Sequence, residues 1–240
     1  MSPTNGTAAA APTALRRLRE ANAAAVLDQV WDAVPVTGSD LMAATGLSRA
    51  TVHDVCDELA QLGWVREVAN QREHGDYRKG RPARRYGFDG RGRVVVGVDA
   101  GQHRIGARVT DLHGTALGHH EATTSPGASP RTRVTTIARA VRAALRDAGT
   151  AEALVLAVAV GVPAPVDADG LTPARGNPFW ARMNPGLSGL LGAAHGWTVL
   201  VDNDANLAAL AEGWRGHGRG VASYVTLLAG ERFGAGVVQD

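Results

Sequence analysis

The sequence predicts an α/β protein that opens with a winged helix-turn-helix, and three observations carry that reading. Two short helical patterns flank a tight TGLS turn at residues 45–48. Two strand-like runs, WVREV and RRYGF, then flank a polar loop, as the strands of a wing do. From Arg93 onward the composition changes to VVVGVDAG, and strand-like and helix-like segments alternate as they do in an α/β sheet.

Residues 1–12, rich in Ala, Thr and Pro, hold too little apolar surface to offset the entropy of ordering and are expected to form a disordered tail. The first helix is expected from Leu15 to Val34, with Leu15, Leu18, Val26, Val30 and Val34 at helical spacings and Pro35 disfavouring helix just before it. Ser39 precedes a short second helix, DLMAAT, which Gly46 closes in the left-handed position that often follows a helix end. Ser48 caps the third, RATVHDVCDELAQLGW, where Val52, Val55, Cys56, Leu59 and Leu62 share one face and Gly63 marks the end. A boundary near 88–93 separates this winged helix-turn-helix domain, residues 13–90, from a second domain, residues 93–240. There VVVGVDA, IGARVTDL and TALGHHEAT read as a three-stranded meander, Arg131–Ala148 as a helix, LVLAVAVGV as a fully buried strand, NPGLSGLLGAAH as a short helix and TVLVD as a strand.

A length of 240 residues exceeds what a lone winged helix needs, since a domain takes roughly 100–200 residues. With 45% apolar and 20% charged residues the chain is of globular type, unlike a disordered or membrane protein. The formal net charge of +2 is too small to argue for nucleic acid, so that case rests on where the charges lie. One cysteine, Cys56, excludes an internal disulfide framework and a zinc site built from several thiolates, and no metal is expected. No signal-peptide pattern and no uncharged apolar run of about 18 residues is present, so a cytoplasmic protein without a membrane partner is expected.

The helix-turn-helix spacing lets the third helix lie in a major groove. On its N-terminal turns Arg49, Ala50, His53 and Asp54 are candidate base readers, Arg49 facing guanine and Asp54 able to accept from a cytosine amino group. Ser48 and Thr51 are candidate phosphate contacts. In the wing Arg78, Lys79, Arg81, Arg84 and Arg85 crowd around GRP, where they can follow phosphates or enter a narrow minor groove. Two plainer readings stand beside these: a helical hairpin inside an ordinary core, and a solvated charge run. The expected partner is a double-stranded DNA operator read by a symmetric dimer.

GLSRATV followed by a GRPA wing, then GVDAG, GVPAPVD and VDNDANLAALAE, in that order and spacing, resembles the ROK family of repressors and sugar kinases over Leu15–Asp240. The N-terminal winged helix places the resemblance with the repressors. It implies an actin-like ATPase (ribonuclease H-like), sugar kinase-type fold for the second domain, with sugar between two lobes and, in the kinases, ATP phosphates on glycine-rich turns. In the first phosphate loop Asp99 and Gly101 match, but Gln102, His103 and Arg104 stand where the kinases have glycine, threonine and lysine. The second, usually glycine-threonine-glycine, reads Gly230, Glu231, Arg232, Phe233, Gly234, with Glu231 placing a carboxylate beside the phosphate position. Such replacements oppose the approach of phosphate to backbone N–H groups, so neither phosphoryl transfer nor a nucleotide cofactor is expected.

Asp204, beside Asn203, matches the residue that takes the sugar proton in the family kinases. Without a phosphate donor the pair is left as part of a sugar pocket, where a carboxylate and an amide suit a polyol. Asn203 and Asp204, with Asn177 of GNPFW lining the same cleft, are the candidate effector contacts for a sugar or sugar phosphate. The alternatives are that DNDAN caps the helix after it and that Asn177 is a turn residue before Pro178. The family's further stretch, with a glutamate-rich sugar-binding segment and a zinc-binding cysteine cluster, is not found in the sequence. The ROK domain is therefore expected to be partial, with an uncovered sheet edge and apolar surface. The function so implied is a sugar-responsive repressor without kinase activity; the alternative is a ROK-type kinase phosphorylating a hexose with ATP.

Overall fold

A computed structural model describes residues 14–31, 34–68, 84–173, 176–230 and 232–240, and contacts divide the chain into two compact units, 1–92 and 93–240. In the first unit, helix α1 (Ala14–Val30) is anchored by Val26 and Val30, both buried, whereas Leu15 and Leu18 stay exposed. The apolar spacing read as one face from Leu15 to Val34 thus works only over its second half, and the helix ends before Val34. Trp31, just past the end, packs on Phe88 with ring centroids 4.4 Å apart and fixes where the chain departs.

Helix α2 (Gly38–Thr45) begins earlier than DLMAAT and takes in Ser39, because Thr37 caps it. The Thr37 hydroxyl accepts from the Asp40 N–H at 3.2 Å and the Asp40 carboxylate accepts from the Thr37 N–H at 2.8 Å, a reciprocal capping box. Those bonds hold the Asp40 carboxyl below the usual carboxylate range. Gly46 closes α2 at φ 70°, in the left-handed region. Ser48 caps α3 (Arg49–Gln61) as expected, accepting from the Thr51 N–H at 3.2 Å. Val52, Val55, Cys56 and Leu59 of α3 are buried, while Leu62 lies past the helix and is exposed. An antiparallel sheet completes the unit in the order β1 (Val36–Thr37), β3 (Arg85–Phe88), β2 (Val65–Val68); β1 has no counterpart in the sequence reading.

The second unit is built on five strands in the order β6-β5-β4-β7-β8. β4 (Val94–Ala100), β5 (Arg104–Asp111) and β6 (Ala116–Thr123) form the expected antiparallel meander. β7 (Val155–Val162) joins β4 in parallel and β8 (Val199–Asn203) joins β7 in parallel. Parallel neighbours need crossovers. Helix α4 (Pro130–Asp147) lies in the first, and α5 (Pro178–Met183) and α6 (Leu187–His195) in the second. α7 (Asp204–Arg215) follows β8 and meets the hairpin of β9 (Tyr224–Ala229) and β10 (Phe233–Val238). This is the ribonuclease H-like half of an actin-like ATPase fold, covering part of the kinase architecture. No described helix is long and apolar enough to cross a membrane.

Burial on the sheet is one-sided. Val94, Val96, Val98 and Ala100 of β4 and Val158, Val160 and Val162 of β7 enter a core with Ile137, Val141 and Leu145 of α4 and Leu187 and Leu191 of α6. On the opposite face Gly97 and Asp99 are exposed and Ala159 is half-buried. LVLAVAVGV is therefore not a strand buried on both sides. The alternating positions facing away from the core carry glycine, alanine and aspartate, too small or too polar to fill that side, and they floor a cleft instead.

Small residues also set how closely helix and sheet approach: a Cβ on Gly118 of β6 would lie 2.4 Å from the Ala148 backbone nitrogen, just past α4. Gly118→Ala is expected to cost about 1–3 kcal/mol by overpacking, read as a lower urea midpoint with an unchanged slope. A midpoint equal to that of the parent would show that α4 is free to retreat.

Candidate DNA-binding surface and effector cleft

The start of α3 presents a small polar face. Ser48, Arg49, Ala50 and Asp54 are exposed and Thr51 is half-buried. Ser48 and Thr51 are joined, hydroxyl to hydroxyl, at 2.9 Å, so both are committed to the helix start. His53 is turned inward: its Nδ1 lies 3.0 Å from the Tyr86 hydroxyl, with the rings edge to face, and Tyr86 is 1% exposed. The imidazole links α3 to β3 and is half-buried, while Arg49, Ala50 and Asp54 remain open to solvent on the first turns.

Arg84 is also engaged within the unit. Its Nε donates to Glu67 of β2 at 2.9 Å, its Nη2 donates to Asp57 of α3 at 3.0 Å, and its guanidinium carbon lies 5.5 Å from the centre of the Tyr86 ring. These carboxylates hold the guanidinium's proton above its ordinary range. Arg84 thus ties helix to strand at the base of the wing, a role that the sequence signalled only as one more cation. Arg78, Lys79 and Arg81 lie outside the described residues.

In the second unit a cleft of about 700 Å³ opens beside the start of α7, and a second of about 990 Å³ continues over the small-residue floor of the sheet. Asp204, Phe179, Pro163, Leu228 and Arg232 line both. Asn203 caps α7: its Oδ1 accepts from the N–H groups of Ala205 and Asn206, and its Nδ2 donates to the Ala164 carbonyl at 3.1 Å. Both ends of the amide at the cleft edge therefore take part in shaping it. Asp204 remains half-buried beside it, with Asn206 exposed on the next turn. Asn177 caps α5, accepting from Phe179 and Trp180 N–H, and it is these two aromatic residues, rather than Asn177, that line the cleft.

Burial first, and then the negative charge of Asp99, raise the Asp204 carboxyl above its usual range, against hydrogen bonds from the Ala205 N–H. Asp99 itself lies 3.7 Å from Arg104, which also donates to Glu121 at 3.0 Å. The loop after β4 is held from behind by Arg133, a residue the sequence reading passed over. It is 2% exposed and donates to the carbonyls of Met183, Gly101 and Ala100. Its signal was present: Arg133 falls on the apolar stripe of α4 with Ile137 and Val141 at four-residue spacing. Glu231 lies outside the described residues. Among the described residues no group of three or more His, Cys, Asp or Glu could hold a metal ion.

The raised Asp204 carboxyl fixes the sign of a pH effect. Its protonated form is favoured in the fold, so stability is fully present below the unfolded aspartate range and is lost as pH rises through the raised folded value. Asp204→Asn is expected to melt above the parent at neutral pH and level with it at low pH. A gap that widens on acidification would reverse this account.

Residues 95–240 match the ROK family model and residues 21–69 that of the IclR helix-turn-helix domain. A putative xylose repressor of Caldicellulosiruptor sp. (strain Rt8B.4) is 23% identical over 92% of this chain and 54% of its own length. The solved structure of a ROK family transcriptional regulator, a homolog of the E. coli MLC protein, aligns with TM-score 0.70 at 22% identity, over 93% of this chain and 55% of that one. A ROK family glucokinase from Streptomyces griseus, solved with glucose and AMPPNP, aligns with TM-score 0.53 at 31% identity, over 61% of this chain and 44% of that one. The chain spans about half the length of the curated relatives it matches. A match running from β4 through β10, over the sheet, the cleft and the capped α7, makes this chain a member of the ROK family.

Proposed function

We propose that the chain is a sugar-responsive transcriptional repressor. Its first unit reads an operator through the N-terminal turns of α3, and its second unit holds a sugar or sugar phosphate beside Asp204. The observation that carries the reading is the exposed Arg49–Ala50–Asp54 face on a helix locked in place by its Ser48 cap and by the His53–Tyr86 and Arg84–Asp57 ties. A reading helix must be rigid behind and open in front, because a bidentate arginine discriminates bases only when its own backbone is fixed. In this account Arg49 reads guanine and Asp54 accepts from a cytosine amino group. Ser48 and Thr51 set the helix start against the phosphates, and Arg78, Lys79 and Arg81 follow the backbone from the wing. His53 and Arg84 act by holding α3 and β3 together. The domain limits are those of a reading module over residues 13–90 and a ROK domain over 93–240, with dimers on two half-sites in the cytoplasm. Relatives named as xylose repressors support the assignment.

In the same reading the chain transfers no phosphoryl group. Arg104 stands in the first phosphate loop and is spent on Asp99 and Glu121, so the loop's cation is turned toward protein carboxylates. The competing reading, a sugar kinase, is favoured by Asp204 at the cleft and by the likeness to the glucokinase. A coupled ADP-release assay over a sugar panel separates the two: turnover abolished by Asp204→Asn would establish the kinase.

Fluorescence anisotropy of the chain on the DNA upstream of its own gene tests the repressor directly, with sugars titrated in. Saturable, competitor-resistant binding that a sugar shifts is expected. Arg49→Ala should weaken it by about 1–3 kcal/mol and relax preference at one base pair, whereas Arg81→Ala should lower affinity for all sequences alike and flatten the salt dependence. An unchanged operator preference in Arg49→Ala removes Arg49 as the reader.

A further inference from the structure

Among the described residues, the arginines lining the larger lobe of the cleft outnumber its carboxylates. Asp99 and Asp204 line that lobe together with Arg104, Arg108 and Arg232. Arg104 is matched by Asp99 and Glu121, which leaves Arg108 and Arg232 without a carboxylate partner among the described residues. Arg232 lies where the two lobes of the cleft meet, on the tight turn between β9 and β10 in which the Gly230 N–H donates to the Arg232 carbonyl. Its guanidinium carbon sits 3.8 Å from the centre of the Phe179 ring on α5. Stacking fixes the plane of a guanidinium through its face and leaves its N–H edge unused, the edge that meets a carboxylate or phosphate in two parallel hydrogen bonds.

Close packing brings this cation to the sugar position. A Cβ on Gly234 would lie 3.0 Å from the Ala205 side chain, so the turn carrying Arg232 rides directly over the first turn of α7, where Asp204 stands. A polyol bonded to Asp204 would hold its far end toward Arg232, with Arg108 on the floor beyond. We infer that the cleft selects an anionic sugar, a phosphate ester or a sugar acid, and that Arg232, stacked on Phe179, is the residue that reads the anion. The inference rests on the reading of this cleft as the effector site and narrows its ligand from sugars in general to charged ones.

Isothermal titration calorimetry of the full chain with glucose 6-phosphate, glucuronate, inorganic phosphate, glucose, xylose and ADP tests it. Glucose 6-phosphate or glucuronate should bind at least about tenfold more tightly than glucose, as expected for a charge-assisted bidentate contact. That preference should fall as salt rises. Whichever of the two anions binds better identifies phosphate or carboxylate as the group read. Arg232→Gln should bring the ratio of anionic to neutral affinity close to one, Arg232→Lys should keep part of it, and Phe179→Leu should lower it while far-ultraviolet circular dichroism stays unchanged. Neutral sugars binding as tightly as charged ones, with Arg232→Gln leaving the ratio unmoved, would overturn the anion subsite and leave the sugar cleft standing. Inorganic phosphate binding that depends on Arg232, without binding of any sugar, would uphold the subsite and remove the sugar reading. Binding of ADP in preference to every sugar anion, or of none of the six probes, would overturn the inference.

Discussion

A single buried guanidinium sets the shape of the second unit. Arg133 sits inside the core-facing side of α4 with no carboxylate bonded to it among the described residues, and burial draws its pKa down to about 10, with the charge of Asp99 opposing. An isolated cation in that position would be costly. What offsets the cost is three charge-assisted bonds to the carbonyls of Ala100, Gly101 and Met183. Those carbonyls belong to the end of β4, to the loop after it, and to the end of α5, so one side chain ties the floor of the cleft to its aromatic wall. Phe179 and Trp180 stand where they do because α5 is held at its C-terminus by Arg133 and at its N-terminus by Asn177.

Capping is the recurring device around both candidate sites. Ser48, Asn177 and Asn203 each spend a side-chain oxygen on the first N–H groups of a helix, and each stands beside a residue left open: Arg49, the Phe179–Trp180 pair, and Asp204. Polar residues at helix starts thus divide the work. One satisfies the backbone and fixes the helix origin, and its neighbour is thereby presented in a single orientation. A residue type suited to ligands is also a residue type suited to caps, which is why sequence alone could not separate Asn203 from Asp204.

Most of the architecture was legible because its signals are local. Ser48 before an amphipathic run, Gly46 after a short one, and the alternation of β4 and β5 each depend on a few neighbouring residues. The parts that were not legible depend on distant ones. β1 is two residues long and exists only because Val36 and Thr37 meet Tyr86 and Arg85. α2 starts at Gly38, before Ser39, because Thr37 caps it and Asp40 answers the cap, a pairing visible only once the start of the helix is known. The one-sided burial of β7 escaped because an uninterrupted apolar run looks alike whether one face or two are covered. At the sites, the exposed Arg49 and the cleft-facing Asp204 were readable from motif position, whereas the inward turn of His53 and the ties of Arg84 needed tertiary contacts at residues 86, 57 and 67.

Cys56 lies on the inner face of α3 with no exposed surface, and burial pushes its thiol up to about 11. A thiol so placed is neither ionised nor reachable at neutral pH, so oxidants and electrophiles meet it only in molecules whose first unit has opened. With no second cysteine to compete, the rate of its alkylation is a clock for that opening, measured inside the intact chain and blind to whatever the rest of the protein is doing.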